Sequence, residues 1–208
     1  MPQLSIRGLR SAHGGPFDLD IGRGECVSLM GPSGSGKTLF MRLIADLDPG
    51  SGEVWLGGRE RGTWSAPQWR SQVVYQTAEP AWWSGSVAAH FPPHTLDEIR
   101  GLLPLLGLPD ATFDSDVERL STGERQRLAL LRSLARKPKV LLLDEPFGAL
   151  DAQVRKELRR WLRRLHDDLH VTSIFVTHDQ EEAMQISDRI GLLHDGELLQ
   201  FDTPETLY

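Results

Sequence analysis

Apolar residues along this chain fall into two alternating rhythms. Short unbroken runs, ECVSLM at 25–30, VLLLD at 140–144 and TSIFVT at 172–177, predict strands buried on both faces. Segments of helical spacing separate them: one through TLFMRLIADL from Thr38, one over 152–169, and one after FVTHD at 175–179. In the second of these helices Val154, Leu158, Trp161, Leu162 and Leu165 share a stripe, and the intervening arginines fall on a solvated face. Strand and helix in alternation predict an α/β fold around a mostly parallel central sheet.

A period of two marks other segments. LSIRGLR at 4–10, FDLDI at 17–21 and GEVWLGG at 52–58, punctuated by glycine, predict half-buried strands of an antiparallel β subdomain. Near the end, RIGLLHDGELLQFDTP predicts a hairpin turning at Asp195-Gly196. From 76 to 120 proline, tryptophan and leucine spacing replace the strand signal, with a helix at TLDEIRGLLPLLG interrupted by Pro104. The expected organisation is a single domain over 1–208, with 1–76 and 121–208 as its core and 77–120 as a short inserted helical subdomain.

Composition narrows the function classes. Hydrophobic residues at 39% of 208 support a full core, and no apolar stretch reaches the length of a membrane span. The single cysteine, Cys26, cannot form an internal disulfide and lies in an apolar run, which predicts a buried small hydrophobe and a reducing compartment. No secretory leader is visible in MPQLSIRGLR, so a cytoplasmic protein is expected. A net charge of -6 argues against general nucleic-acid binding, which needs a positive field. HDDLH at 166–170 places two histidines one helical turn apart, as in some zinc sites. Aspartate replaces the expected glutamate and no third ligand is near, so a polar helix end is the expectation there.

Two motifs carry chemistry. GPSGSGKT at 31–38 follows a strand and opens a helix. Gly31, Pro32, Ser33, Gly34, Ser35 and Gly36 can curl so that backbone N–H groups point at a polyphosphate, Lys37 supplies a cation, and the Thr38 hydroxyl can ligate Mg2+. A plain strand-to-helix turn would explain the glycines but not the lysine and threonine. VLLLDEP delivers Asp144 and Glu145 at the carboxyl end of a strand, where ligands of open parallel sheets bind. Asp144 suits a Mg2+ ion, and Glu145 suits the general base for an attacking water. A third stretch, LSTGERQR at 120–127, reads as a capping box, Ser121 with Glu124, at the start of a helix. That helix should bury Leu128, Leu131 and Leu134, or else Leu128, Ala135 and their neighbours, and end near Pro138.

The order of these motifs resembles the ATP-binding subunits of ABC transporters along nearly the whole chain. GPSGSGKT, the glutamine in VVYQT, LSTGERQR, VLLLDEP, GALD and the histidine in FVTHD occur in the family's sequence of motifs. The resemblance implies a P-loop ATPase of ABC type with ATP and Mg2+ as cofactors. Gln76 would sense the metal or the lytic water, and His178 would contact the γ-phosphate. Asp151 would communicate across a dimer, and His13 or Phe17 would stack on adenine. Ser121 and Gly123 would meet the ATP held by a second copy of the chain; the family has glycine where Thr122 stands. Residue by residue, a surface glutamine, a strand-end histidine and a capping aspartate are the bland alternatives.

Trp82 and Trp83 stand where the family docks a helix of its membrane partner, or else they pack within the insertion. The implied partners are a second copy and integral membrane subunits, without nucleic acid, and the implied location is the inner face of the cell membrane. The region from Glu145 resembles sulfate/thiosulfate importers, whereas the Gln76 region resembles shorter subunits of metal export, and substrate and direction stay open. A soluble non-transport ABC ATPase of DNA repair, ribosome function or iron–sulfur assembly is the alternative.

Overall fold

Local sequence rules account for most of the architecture. The computed structural model describes residues 2–148, 150, 152–169 and 171–207. Asp151 and His170, singled out above, lie outside the described residues, as does the side chain of Leu165.

The unbroken apolar runs form a parallel layer. β3 (Cys26–Met30), β7 (Val140–Asp144) and β8 (Thr172–Val176) are buried at every position. With β6 (Val73–Gln76), β9 (Arg189–His194) and β10 (Glu197–Asp202) they make a six-stranded sheet of order β10-β9-β3-β8-β7-β6, in which only β10 runs antiparallel to its neighbour. The β9–β10 hairpin turns at Asp195-Gly196, both at positive φ (47° and 79°), which suits a two-residue primed turn. A four-stranded antiparallel sheet of order β2-β1-β4-β5 holds β1 (Leu4–Ser11), β2 (Gly14–Ile21), β4 (Ser51–Leu56) and β5 (Arg59–Glu60).

Two apolar clusters lie on either face of the parallel sheet. One gathers Leu29, Phe40, Met41, Trp69, Leu142 and Ile174 against the antiparallel sheet and α1 (Lys37–Ile44). The other gathers Leu141, Leu143 and Phe175 with α4 (Thr122–Leu134) and α5 (Ala152–Leu169). Leu128, Leu131 and Leu134 are buried on α4 and Ala135 at its end; on α5 Leu158, Trp161 and Leu162 are buried as expected, whereas Val154 is only half-buried. Cys26 is buried as expected, and burial pushes its thiol up to about 12.

Three expectations are corrected. First, the sequence rhythm gave no sign of α2 (Ala66–Gln72), which starts with a Ser65/Gln68 capping box and buries Trp69 alone. The Trp69 indole donates to the Ile44 carbonyl at 2.9 Å. Trp69→Ala leaves both a cavity and an unpaired carbonyl, and an unfolding free-energy loss of about 3–5 kcal/mol is expected in urea titration. Second, the insertion is less helical than its leucine spacing suggested: α3 (Leu96–Leu102) is short, and 3-10 turns at Pro93–Thr95, Pro104–Leu106 and Asp110–Asp114 surround it. Prolines start these turns or directly precede them, because each lacks the N–H that a continuing α-helix needs. Third, His166 is no polar helix end. It is buried, its Nε2 lies 2.7 Å from the Ser173 hydroxyl, and that hydroxyl lies 3.4 Å from the Cys26 sulfur. Among the described residues, no group of three His, Cys, Asp or Glu could hold a metal ion. No described helix is long and apolar enough to cross a membrane.

Candidate active site

Parallel strands bring the candidate residues to one edge. The loop 31–38 follows β3, Gln76 ends β6, Asp144 ends β7, and His178 follows β8. All four lie at the carboxyl ends of strands in one sheet, where such sheets bind ligands.

The loop is built from backbone constraints. Gly31 has φ 150°, and a Cβ there would sit 2.1 Å from the Leu193 carbonyl oxygen. Gly36 caps α1 in the left-handed region at φ 98°. Pro32, Ser33 and Gly34 are exposed, whereas Ser35 is buried. Lys37 is buried and folds back into the loop: its ammonium donates to the Gly31 and Pro32 carbonyls, both at 2.8 Å. Burial lowers the Lys37 ammonium from its ordinary range, and the Glu145 and Asp144 carboxylates oppose that shift. The lysine thus sits among its loop's own oxygens, with a strong incentive to meet an anion.

The Thr38 hydroxyl donates toward both oxygens of Asp144, at 2.9 and 3.2 Å. The Tyr75 hydroxyl donates to the same carboxylate at 2.8 Å, a contact that sequence reading missed. Burial, then the bond to Asp144, pushes the Tyr75 phenol well above its ordinary range, so it stays a donor. Glu145 follows at φ 45°, a left-handed conformation that costs a non-glycine residue about 1–3 kcal/mol and recurs at functional sites. Its Oε1 lies 4.0 Å from His178 Nδ1, and the two side chains are 44% and 71% exposed. The turn carrying His178 is held firmly. Thr177 donates to Glu182 at 2.6 Å and accepts from the Asp179 N–H, and Asp179 caps α6 (Gln180–Ile186).

Gln76 is not brought to this cluster. Its neighbour across the sheet is Leu143, so its side chain points to the face opposite Asp144, where Oε1 accepts from Ser133 on α4 at 2.9 Å. Gln76 and Ser133 instead border a groove of about 560 Å³ with Trp83, His90, Arg132 and Arg136. The two tryptophans divide their roles: Trp82 packs on the core and Trp83 is 68% exposed. Both flank the His90 ring, and the Arg132 guanidinium lies 4.8 Å from each indole. His90 Nε2 accepts from the Trp83 and Ser84 N–H groups and its Nδ1 lies 2.9 Å from the Ser86 carbonyl, so the ring shapes the loop.

Ser121 forms the expected capping box. Its hydroxyl accepts from the Glu124 N–H, and Glu124 accepts from the Ser121 N–H at 2.8 Å. The bond from the Ser121 N–H, then one that the Ser121 hydroxyl donates to the same carboxylate at 2.8 Å, hold the Glu124 carboxyl below its ordinary range. Ser121 and Thr122 face solvent, and among the described residues a Cβ on Gly123 would approach Leu150, at 3.3 Å. Of the two adenine candidates, Phe17 is fully buried, its ring 4.4 Å from that of Phe40. His13 is exposed on a turn tied to the phosphate loop: Gly15 donates to the Gly196 carbonyl and Gly196 donates to the Ser35 carbonyl.

A family model described as ABC transporter matches residues 15–148, well over half of the chain. The chain belongs to the ABC transporter family. Within that family it is similar to proteins named "Sulfate/thiosulfate import ATP-binding protein CysA". It is 47% identical to the one from Thermosynechococcus vestitus over 92% of this chain and 60% of that protein. It is 46% identical to the one from Methylococcus capsulatus over 92% of this chain and 59% of that protein. It therefore spans about 60% of the length of these ABC relatives. Among solved structures it superposes on an ATP-binding cassette determined as a dimer in a post-hydrolysis state with ADP and Pi, at TM-score 0.84 and 23% identity, covering 97% of this chain and 98% of that one. It also superposes on cbiO1 of Clostridium perfringens, part of the transporter complex cbiONQ, at TM-score 0.84 and 22% identity, covering 99% and 90%. These likenesses show that the ABC ATPase fold extends over the whole chain.

Proposed function

We propose that this ABC protein binds and hydrolyses ATP and so energises transport through separate integral membrane subunits. One observation carries the reading: Lys37 and the Thr38–Asp144 pair share a sheet edge with a strained, solvent-facing Glu145 beside His178. Backbone N–H groups of 31–36 and the Lys37 ammonium would hold the β- and γ-phosphates, and His13 would stack on adenine. The donor set fits Mg2+: a hydroxyl and a carboxylate, both hard oxygen ligands, within 3.2 Å of each other. When bound there, the ion neutralises charge building on the transferred phosphoryl group. Glu145 accepts the proton of the attacking water, and His178 orients the γ-phosphate. Gln76, held at the groove by Ser133, would reach the metal or the water only after leaving that hydrogen bond.

The second half of the site comes from a second copy. The Ser121 hydroxyl and the first N–H groups of α4 are exposed at a helix N-terminus, which is attractive to a phosphate presented by a partner's loop. Thr122 holds its side chain in solvent, and Gly123, half-buried against Leu150, offers its backbone to the partner's phosphate without a side chain. Residues 77–120 act as the inserted subdomain, and their groove, with exposed Trp83 at its rim, receives the membrane subunits at the inner face of the membrane.

The named relatives support import of an oxyanion such as sulfate or thiosulfate as the transport task. Co-expression with candidate membrane subunits tests this: the chain is expected in the membrane fraction only when its partner is present, with ATPase activity stimulated. Stable association with ribosomes or DNA and indifference to membrane subunits contradict it.

A further inference from the structure

Resting on the ATP site proposed above, we infer that Tyr75 is a positioning residue for the divalent cation: its hydroxyl fixes the Asp144 carboxylate that receives Mg2+. Parallel pairing sets this up. Tyr75 stands opposite Leu142, so it shares a sheet face with Asp144 two residues on, while Gln76 takes the other face. Two hydroxyls from different elements then enclose one carboxylate: Tyr75 from β6 at 2.8 Å and Thr38 from α1 at 2.9 Å, both on Oδ2.

A carboxylate has about four lone-pair sites, so two donors still leave acceptor capacity for a cation. Left alone, the terminal torsion of an aspartate is broad, and these donors narrow it. Thr38 can keep its proton on Asp144 while a lone pair turns to the metal. Tyr75 need not ligate the metal; its phenol meets the Arg42 side chain as well and holds Asp144 from the side. Tyr75 is also among the residues lining the groove of Gln76, Trp83 and His90, so strand β6 lies between that groove and the cation site, with Gln76 on one face and the Tyr75 phenol on the other. A phenylalanine would fill the same space and carry no donor.

The test is Tyr75→Phe in the full chain, with Mn2+ as the probe. Mn2+ binding to the ADP complex, read by electron paramagnetic resonance, is expected to weaken about tenfold, the usual loss when a partner of a metal ligand is removed. ADP affinity in excess chelator is expected to stay unchanged, which also reports an intact fold. The Mg2+ concentration for half-maximal ATPase should rise by the same factor, and excess Mg2+ should restore the maximal rate. Tyr75→Leu, which also loses the ring, separates packing from the hydroxyl. If Tyr75→Phe binds Mn2+ like the wild type while Tyr75→Leu does not, or if chelator-state ADP affinity falls equally, the positioning role is overturned. If wild-type nucleotide binding ignores both ions, the ATP-site reading falls with it, an outcome distinct from the first.

Discussion

Replacing Glu145 with glutamine is expected to lower ATP turnover by about 10²–10⁴-fold, the range that a positioned general base contributes. Glutamine keeps the length and shape of the side chain, so the loop at φ 45° and the approach of His178 survive the change. What is lost is the capacity to take a proton from water. ATP affinity, measured by equilibrium binding of a fluorescent analogue, should therefore stay close to wild type while product release in a steady-state assay nearly stops. A variant that hydrolyses ATP at the normal rate shows that another group is the base. His178 would be next, being the charged or polar neighbour that lies 4.0 Å from Glu145.

Lys37→Ala should act on binding instead. The ammonium rests on the Gly31 and Pro32 carbonyls at 2.8 Å, partly desolvated, and a phosphate gives it a better partner than two neutral oxygens. Removing it is expected to weaken ATP about 10–100-fold, the value of a hydrogen bond to a charged group. The binding titration should be run with ATP, ADP and AMP. Loss that is large for ATP and ADP and absent for AMP places the lysine on the terminal phosphates; unchanged ATP affinity removes it from the site.

Much of this was legible because the signals are local. Strands buried on both faces show as unbroken apolar runs, the Asp195-Gly196 turn needs two positive φ values, and Ser121 with Glu124 is a pair three residues apart. What escaped depends on register across the sheet. Nothing local says that β6 pairs Tyr75 with Leu142, which alone puts the phenol on Asp144 and turns Gln76 toward Ser133. α2 escaped because one apolar residue, Trp69, carries its burial, although Ser65 and Gln68 marked its start. His166 had a readable signal that the polar setting obscured: it continues the four-residue spacing of Leu158 and Leu162, both buried. The sequence does not show that Phe17 is buried against Phe40 while His13 is exposed, because that difference comes from tertiary packing.

In the proposed dimer, Ser121 and Gly123 of one chain complete the site of the ATP bound at Lys37 of another. Glu145→Gln removes turnover and should preserve whatever complex ATP builds. Its molar mass by light scattering, measured with and without saturating Mg2+ and ATP, is the direct test. A mass of one chain without nucleotide and of two chains with it is expected; a mass of one chain at saturating ATP contradicts the shared site.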